Sequence, residues 1–427
     1  MSERTADQRV VITGRGAITP GGLTVAENHR GLLKGRSFIT RLEEPFVPDI
    51  VVGGQVAKDF NPNLYVSSRD QKGVTRDVLL AQAAAIQAVV EAGYLDSVQV
   101  LPPKTKEQIA NRDEPWLQSD VLARRVGIEI GTAVGGSISI KDQKRDSRSI
   151  LRFDISQAVG SPAIWLDARG PGNTRVNACA ASVIAIGEAA NRIRSGQVDL
   201  MLAGGAEAAL SWNIYNDFDR MNHALSRRKQ PERASRPLNK LTEEDGFVPS
   251  EGSAMFVLES LKHAQDRGAR IYAEVLGFAQ TTDTSSAFVP GGFATEEAIK
   301  LAIEDAGRDL KDFDHATLHA AGTAAGDPQE TMAIWRTFGR YAPKLRINTP
   351  KSYYGHALGD AGANAVLQTT LEMEHEVVFR NPNQNNRIEE AEGLTLPQRP
   401  HQYRPTLSVA IGIGLHGVNS ALVLAAH

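Results

Sequence analysis

Strands alternating with helices along nearly the whole chain predict an α/β protein, with parallel strand pairing and helices on both faces of the sheet. Two patterns carry that expectation. Short apolar runs closed by glycine, such as Val10-Val11-Ile12-Thr13-Gly14, read as buried strands. Between them lie stretches whose apolar residues recur three and four apart, the spacing of one helical face. Length supports the same class: 427 residues can bury a large core, as one big α/β unit or as two or three domains.

The elements follow in order. The Val10 to Gly14 strand is followed by a helix from Val25 to Leu33 and an Ala- and Leu-rich core helix from Arg76 to Ala92. Residues 101–124 hold Pro102, Pro103, Pro115 and many charges, and read as a surface insertion. Strand character resumes from Val126 to Gly131. After Cys179, Val183, Ile186, Ala190 and Ile193 share one helical face, and Gly196 ends that helix. Asp199 to Gly205, Ala254 to Leu258 and Tyr272 to Gln280 are strands. Thr295 is an N-cap candidate with Glu296 and Glu297 behind it, and Gly307 closes that helix. Strands follow at Thr317–Ala320, Leu345–Asn348, Leu407–Ile413 and Val418–Leu424. The shared alternation of the two halves hints at an internal duplication.

Composition narrows function. Hydrophobic residues make up 41 % and charged residues 23 %, as in an ordinary soluble protein. A net charge of −3 argues against general attraction to nucleic acid or to an anionic membrane. A single cysteine excludes an intrachain disulfide framework and a multi-cysteine zinc site, and fits a reducing cytoplasm. Met1 to Arg9 is polar, without the apolar stretch of a signal peptide, and no run approaches a membrane span. No metal or nucleotide site is suggested.

That cysteine, Cys179, stands in Val176-Asn177-Ala178-Cys179-Ala180-Ala181-Ser182, between a strand-like run and a helix start. The positive end of the helix dipole and unpaired N–H groups favour a thiolate there, which makes Cys179 a candidate nucleophile. A small buried hydrophobe is the plain alternative. Gly412-Ile413-Gly414-Leu415-His416-Gly417 fits G-x-G-x-x-G in form only, because a strand follows it where a dinucleotide site needs a helix. A tight glycine turn between strands fits better. Lys351 to Gly362 puts a Lys and a His five apart, across a Gly turn before an Ala-rich helix. His356 could donate to a developing oxyanion, or could be a packed or solvent-facing residue. Ala320 to Glu330 is a Gly-rich loop with little signal of its own.

In this order the pieces resemble the β-ketoacyl-acyl-carrier-protein synthases, the condensing enzymes of fatty-acid and type II polyketide assembly. The likeness runs from Arg9–Pro20 through Ala168–Cys179, Ala203–Glu207, Ala234–Pro237, Asp245–Gly252 and Lys351–Gly362 to Gly412–Asn419. It implies the thiolase fold: two similar α/β halves in a five-layered α-β-α-β-α arrangement, normally dimeric. Residues 1–260 would carry Cys179, and 261–427 would carry Lys351 and His356. The resemblance further implies that Cys179 takes an acyl chain from a carrier-protein thioester, with the N–H groups of Cys179 and Leu415 as oxyanion hole. A malonyl-carrier then loses carbon dioxide and its enolate attacks the acyl-cysteine, assisted by His356 and a second histidine. Acyl carrier protein and a like or unlike second subunit are the implied partners. No cofactor is implied beyond the phosphopantetheine arm that arrives on the carrier.

The chain departs from that pattern. Where the family has Asn-Ala-His-Gly-Thr, this sequence reads His319-Ala320-Ala321-Gly322-Thr323, so Ala321 stands at the second histidine. Losing such a donor typically costs roughly 10²–10⁴ in rate. The glutamate that pairs with the family's lysine is Ala365, which would leave Lys351 without its usual partner. The gating Phe is Leu415, and the next Gly is His416, a bulky side chain expected close to Cys179. Three readings stay open. Acyl transfer survives with condensation impaired; or condensation runs through a relocated imidazole, His319 or His416; or the chain is a non-catalytic, chain-length-factor-like subunit. If strand alternation continues, His319 shares the face of Ala321. Trp212, Phe218 and Met221 are candidates for an acyl tunnel, a dimer face or plain core. Arg227-Arg228-Lys229 is either a docking patch for an acidic carrier or a solvated loop.

Overall fold

The computed structural model describes residues 4–102, 104–135, 148–221 and 224–427. Of the stretches singled out above, Met1 to Glu3 and Pro103 lie outside the described residues. Ten strands form the main sheet: β1 (Val10–Ile18), β2 (Val126–Thr132), β3 (Gly172–Val176), β4 (Leu200–Ala208), β5 (Glu251–Ser260), β6 (Ala273–Thr282), β7 (His315–Thr317), β8 (Arg346–Asn348), β9 (Leu407–Ile413) and β10 (Val418–Ala425). The helices that frame it are α1 (Val25–Lys34), α2 (Arg76–Glu91), α3 (Gln157–Leu166), α4 (Ala181–Arg194), α5 (Phe293–Ala306), α6 (Gly326–Phe338) and α7 (Ala361–His375).

The spatial order is β8-β7-β9-β10-β6-β1-β5-β4-β2-β3. Split between β6 and β1, each half reads third, second, fourth, fifth, first strand from its outer edge inward. This repeat gives the hinted duplication a topological form. Pairing is parallel toward both edges, β3 with β2, β2 with β4, β8 with β7 and β7 with β9. It is antiparallel toward the middle, so the sheet is mixed and not the parallel sheet expected. The reason lies in the connections. Parallel neighbours need a crossover, whereas the short Gly414–Gly417 turn joins β9 to β10 as a hairpin.

Three large apolar clusters fill the space between five layers, the middle one embracing both sides of the central helices. Alternation along each strand assigns side chains to them. In β5, Met255 and Val257 face α2 and α3, while Ala254, Phe256 and Leu258 face the centre. In β10, Leu422 and Leu424 face the centre, while Ala421 and Val423 face α5 and α6. The central layer is α4 and α7, packed between the two halves. Val183, Ile186, Ala190 and Ile193 of α4 are all buried there, each worth about 1.5–3 kcal/mol for a large aliphatic and less for alanine. Gly187 faces β6 so closely that an added Cβ would lie 2.1 Å from the Phe278 ring.

Boundaries moved at three places. The helix expected to open at Thr295 begins at Phe293, with Gly292 (φ 79°) at its cap. Thr295 is buried and gives its hydroxyl to Asn419 at 2.7 Å instead. β7 ends at Thr317, short of His319. The 101–124 insertion is mostly at the surface, yet Trp116 is fully buried and its indole N–H donates to Leu166 O at 2.8 Å. No described helix is long and apolar enough to cross a membrane.

Candidate active site

Equivalent strands of the two halves deliver the chemistry. β3 ends at Val176 and runs through a tight turn, Ala178–Ala180, into α4. Ala178 holds φ 49°, a conformation that costs an L-residue roughly 1–2 kcal/mol and here turns the chain sharply at Cys179. β8 ends at Asn348 and leads to Lys351 and His356 before α7. Sites at the carboxyl ends of parallel strands are the rule in α/β sheets.

Cys179, His319, Ala321, His356 and Leu415 line one cavity of about 1090 Å³. Phe218, Met221, Phe247, Phe288 and Val289 supply much of its apolar wall. Trp212 is not among the lining residues and stands half exposed on its own helix. His356 is fixed by backbone pairing: its N–H donates to Val248 O at 2.7 Å, and its carbonyl accepts from Ser250 at 3.0 Å. The Phe247 ring meets the His356 ring edge-on at 5.4 Å. The Asp245–Gly252 segment is therefore a mount for His356. His356 Nδ1 is buried without a partner among the described residues.

His319 lies past the end of β7, and Ala320 behind it adopts φ 31°. That kink ends the strand alternation, so His319 and Ala321 reach the same cavity without sharing a strand face. The His319 and His356 rings stand 5.3 Å apart and nearly perpendicular. Burial and the Lys351 charge hold both imidazoles well below the usual histidine range.

Lys351 is buried, and its ammonium donates to the His319 carbonyl. It is not stranded by the alanine at 365. The carboxylates of Glu330 and Asp327 are its electrostatic partners, and they oppose the burial that lowers its pKa. Glu330 accepts the N–H groups of His319 and Ala320, both at 2.6 Å. Asp327 accepts from Leu238 at 2.7 Å and from Gly322 at 3.0 Å, which ties the residue after the Ala234–Pro237 segment to the Gly-rich loop. The sequence reading missed both acids. Their signal is two acids three apart at the end of the Gly-rich stretch, Asp327 in the first turn of α6 and Glu330 in the next.

Two expectations meet opposing observations at the nucleophile turn. Burial pushes the Cys179 thiol up to about 12, against the pull of Lys351 and of its own backbone N–H. Burial therefore opposes the thiolate that the helix start favours. His416 is exposed, with φ 61°, and its ring lies 6.4 Å from Phe288, outside the cavity lining. Its backbone N–H is donated to Ala287 O at 2.8 Å. Gly414 occupies the space facing the nucleophile: an added Cβ would sit 2.9 Å from Asn177 O and 3.3 Å from Cys179 N. Arg227 and Arg228 are paired with Asp219 and Asp245, so that run is no free basic patch.

A thiol, two neutral imidazoles and a glycine turn gathered at one apolar cavity, inside duplicated α/β halves, define the ketosynthase class of the thiolase fold. The sequence profile of the Beta-ketoacyl synthase, N-terminal domain, matches residues 7–264, and that of the Beta-ketoacyl synthase, C-terminal domain, matches 272–385. The chain belongs to the β-ketoacyl synthase family. It is 33 % identical to 3-oxoacyl-[acyl-carrier-protein] synthase 2 of Synechocystis sp., over 97 % of each chain. It is 31 % identical to the enzyme of the same name from Staphylococcus aureus (strain N315), over 98 % of each. Among solved structures it resembles the ishigamide ketosynthase/chain length factor, with a TM-score of 0.85 and 28 % identity over 98 % of this chain and 99 % of that one. A type II polyketide ketosynthase solved in complex with its acyl-carrier protein gives 0.82 and 27 %, with the same coverage.

Proposed function

We propose that this protein is a ketosynthase-like acyltransferase of fatty-acid or type II polyketide assembly, with Cys179 as acyl acceptor. The observation that carries the reading is Cys179 on the wall of an apolar cavity, between the start of α4 and the Gly414–Leu415 turn. The sulfur attacks the carbonyl carbon of a carrier-bound thioester. A carbon–sulfur bond forms to Cys179, the bond to the phosphopantetheine sulfur breaks, and the Cys179 proton passes to that leaving thiolate. The N–H groups of Cys179 and Leu415 are the oxyanion donors in this reading. The division at residues 260 and 261 assigns the nucleophile to one half and the Lys351–His356 segment to the other.

Condensation through His319 is the second reading, favoured by the ring contact between His319 and His356 beside Cys179. Ala321 offers no donor. His319 would instead share with His356 the charge of the enolate left when malonyl-carrier loses carbon dioxide. His416 is dropped from this role because its ring is outside the cavity.

The test is intact-protein mass after incubation with acyl-carrier thioesters, with Cys179→Ala as control. An adduct that is absent from the control is the expected result, and malonyl-carrier then either lengthens it or leaves it. No adduct at any chain length would overturn the acyltransferase and favour a non-catalytic subunit of a heterodimer.

A further inference from the structure

Four polar side chains meet in the interior of the C-terminal half, apart from the cavity. Glu372 of α7, His315 of β7, Asn348 of β8 and Ser408 of β9 are fully buried, and none of them lines the cavity. One Glu372 oxygen, Oε1, accepts N–H groups from the Asn348 side chain, from Phe379 N at 2.9 Å and from Gln368 Nε2 at 3.3 Å. The other, Oε2, lies 3.0 Å from His315 Nε2, close but without the alignment of a hydrogen bond. His315 Nδ1 is 2.8 Å from Ser408 Oγ. A single carboxyl group thus joins α7 to β7 and β8, and through His315 to β9.

Stability alone does not call for such a cluster, because well-packed apolar side chains of similar volume usually hold a core as well or better. What satisfied polar contacts add is direction. Asn348 Oδ1 is buried without a partner among the described residues, so the contact to Glu372 sets the orientation of that side chain. Asn348 is also a joint. Its carbonyl accepts the Leu318 N–H at 2.9 Å, one residue before His319, and the chain reaches Lys351 three residues after Asn348 and His356 five beyond that. We propose that Glu372 is a positioning residue for the candidate site: by holding Asn348 it fixes the point from which the His319 segment and the Lys351–His356 segment both depart, while touching no substrate itself. A shift of Asn348 moves both segments together, whereas Cys179 stands on the other half and keeps its own turn. The inference rests on reading the cavity as a ketosynthase site.

The full chain, labelled with ¹³C-histidine, reports the surroundings of each imidazole by NMR, and His319→Gln and His356→Gln identify those two rings by the loss of their signals. In Glu372→Met both signals should move from their wild-type positions or split, in a protein whose urea midpoint shows it folded. Glu372→Gln, whose amide oxygen still accepts N–H groups, should return both signals to the wild-type positions. Asn348→Leu cuts the link and leaves Glu372 beside His315, and it should reproduce the Glu372→Met pattern. Where one of these two variants fails to fold, the other decides. Unmoved His319 and His356 signals in a folded variant overturn the proposal, and so does loss of folding in both, which would make the cluster structural alone. Mass analysis of the wild type keeps the two readings apart: no acyl adduct on Cys179, with the ring signals responding as expected, sinks the function and leaves the positioning.

Discussion

Three non-glycine residues in the segments that carry the site, Ala178, Ala320 and Leu358, hold φ values of 49°, 31° and 38°. Ala178 precedes Cys179, Ala320 follows His319 and Leu358 lies two residues after His356, and strain of this kind collects where a site over-determines its backbone. Cys179 was legible in the sequence because a strand, a turn and a helical face frame it. Glu330 was not, because its role exists only once β7, β8 and α6 meet in space. Ala321 makes a direct test of what a missing imidazole means. It lies on the wall of a roomy cavity, so Ala321→His should fit there and raise release of carbon dioxide from malonyl-carrier by about 10–100-fold. Unchanged release would mean that His319 already does that work. Glu207 gives a second prediction. Its carboxyl accepts the N–H groups of Ala133 (2.6 Å) and Gly359 (3.2 Å), and burial raises it from 4.5 to about 7. Between those values the folded protein holds a proton that the unfolded chain has released. The stability from this group is thus present below the unfolded value and lost as pH rises through the folded one, on the order of 3 kcal/mol in all. Urea unfolding at about pH 5 and about pH 8 should show that loss in the wild type and a smaller one in Glu207→Gln. Equal losses in both proteins would place the titrating group elsewhere.

At the scale of elements, the Gly414–Gly417 turn matters most, because it brings β9 and β10 against the nucleophile. Gly414 has φ −115°, which any residue adopts. What requires glycine there is space, with Asn177 O, Ala178 Cβ and Cys179 N all within 3.3 Å of an added Cβ. Gly414→Ala should therefore move the turn that carries Cys179 by a few tenths of an ångström. Acyl-adduct formation should fall by about 10–100-fold, since catalytic geometry tolerates little displacement. Stability should fall by only about 1–3 kcal/mol, the usual cost of overpacking. A matched loss of folded protein and of adduct would show the turn to be structural alone. The sequence showed the turn but not its neighbour, because glycine patterns mark a bend and say nothing of what packs on it. Helices and long strands were legible for a different reason, since α4 spaces its apolar residues three and four apart and β10 is a continuous apolar run buried on both faces. β7 was misjudged at its end because the apolar run continues through Leu318 while the chain turns at Ala320.

The whole molecule repeats one five-stranded order, and the repeat places the Cys179 turn and the Lys351–His356 segment at matching ends of β3 and β8. Composition and periodicity could not reveal this, because pairing partners are set by tertiary contacts. Among the described residues, the same topology leaves β3 paired on one side only. An open edge strand is a template for another chain unless something covers it. Here the edge carries Val176, 48 % exposed, and α3 presents Ile164, 79 % exposed. On the preceding segment Ile150, Leu151 and Phe153 are also exposed. Exposed apolar side chains beside an unpaired edge mark an association surface. The expected outcome is a dimer that closes over β3, with sedimentation at twice the 46.1 kDa chain mass. Ile164→Asp with Val176→Asp should shift the protein toward the monomer without lowering the yield of folded chain. If the wild type alone sediments as a monomer and dimerises only with a co-expressed ketosynthase-like chain, the dimer is heteromeric. In that case acylation of Cys179 has to be assayed in the complex, because a face open in the isolated chain would be closed in the working one.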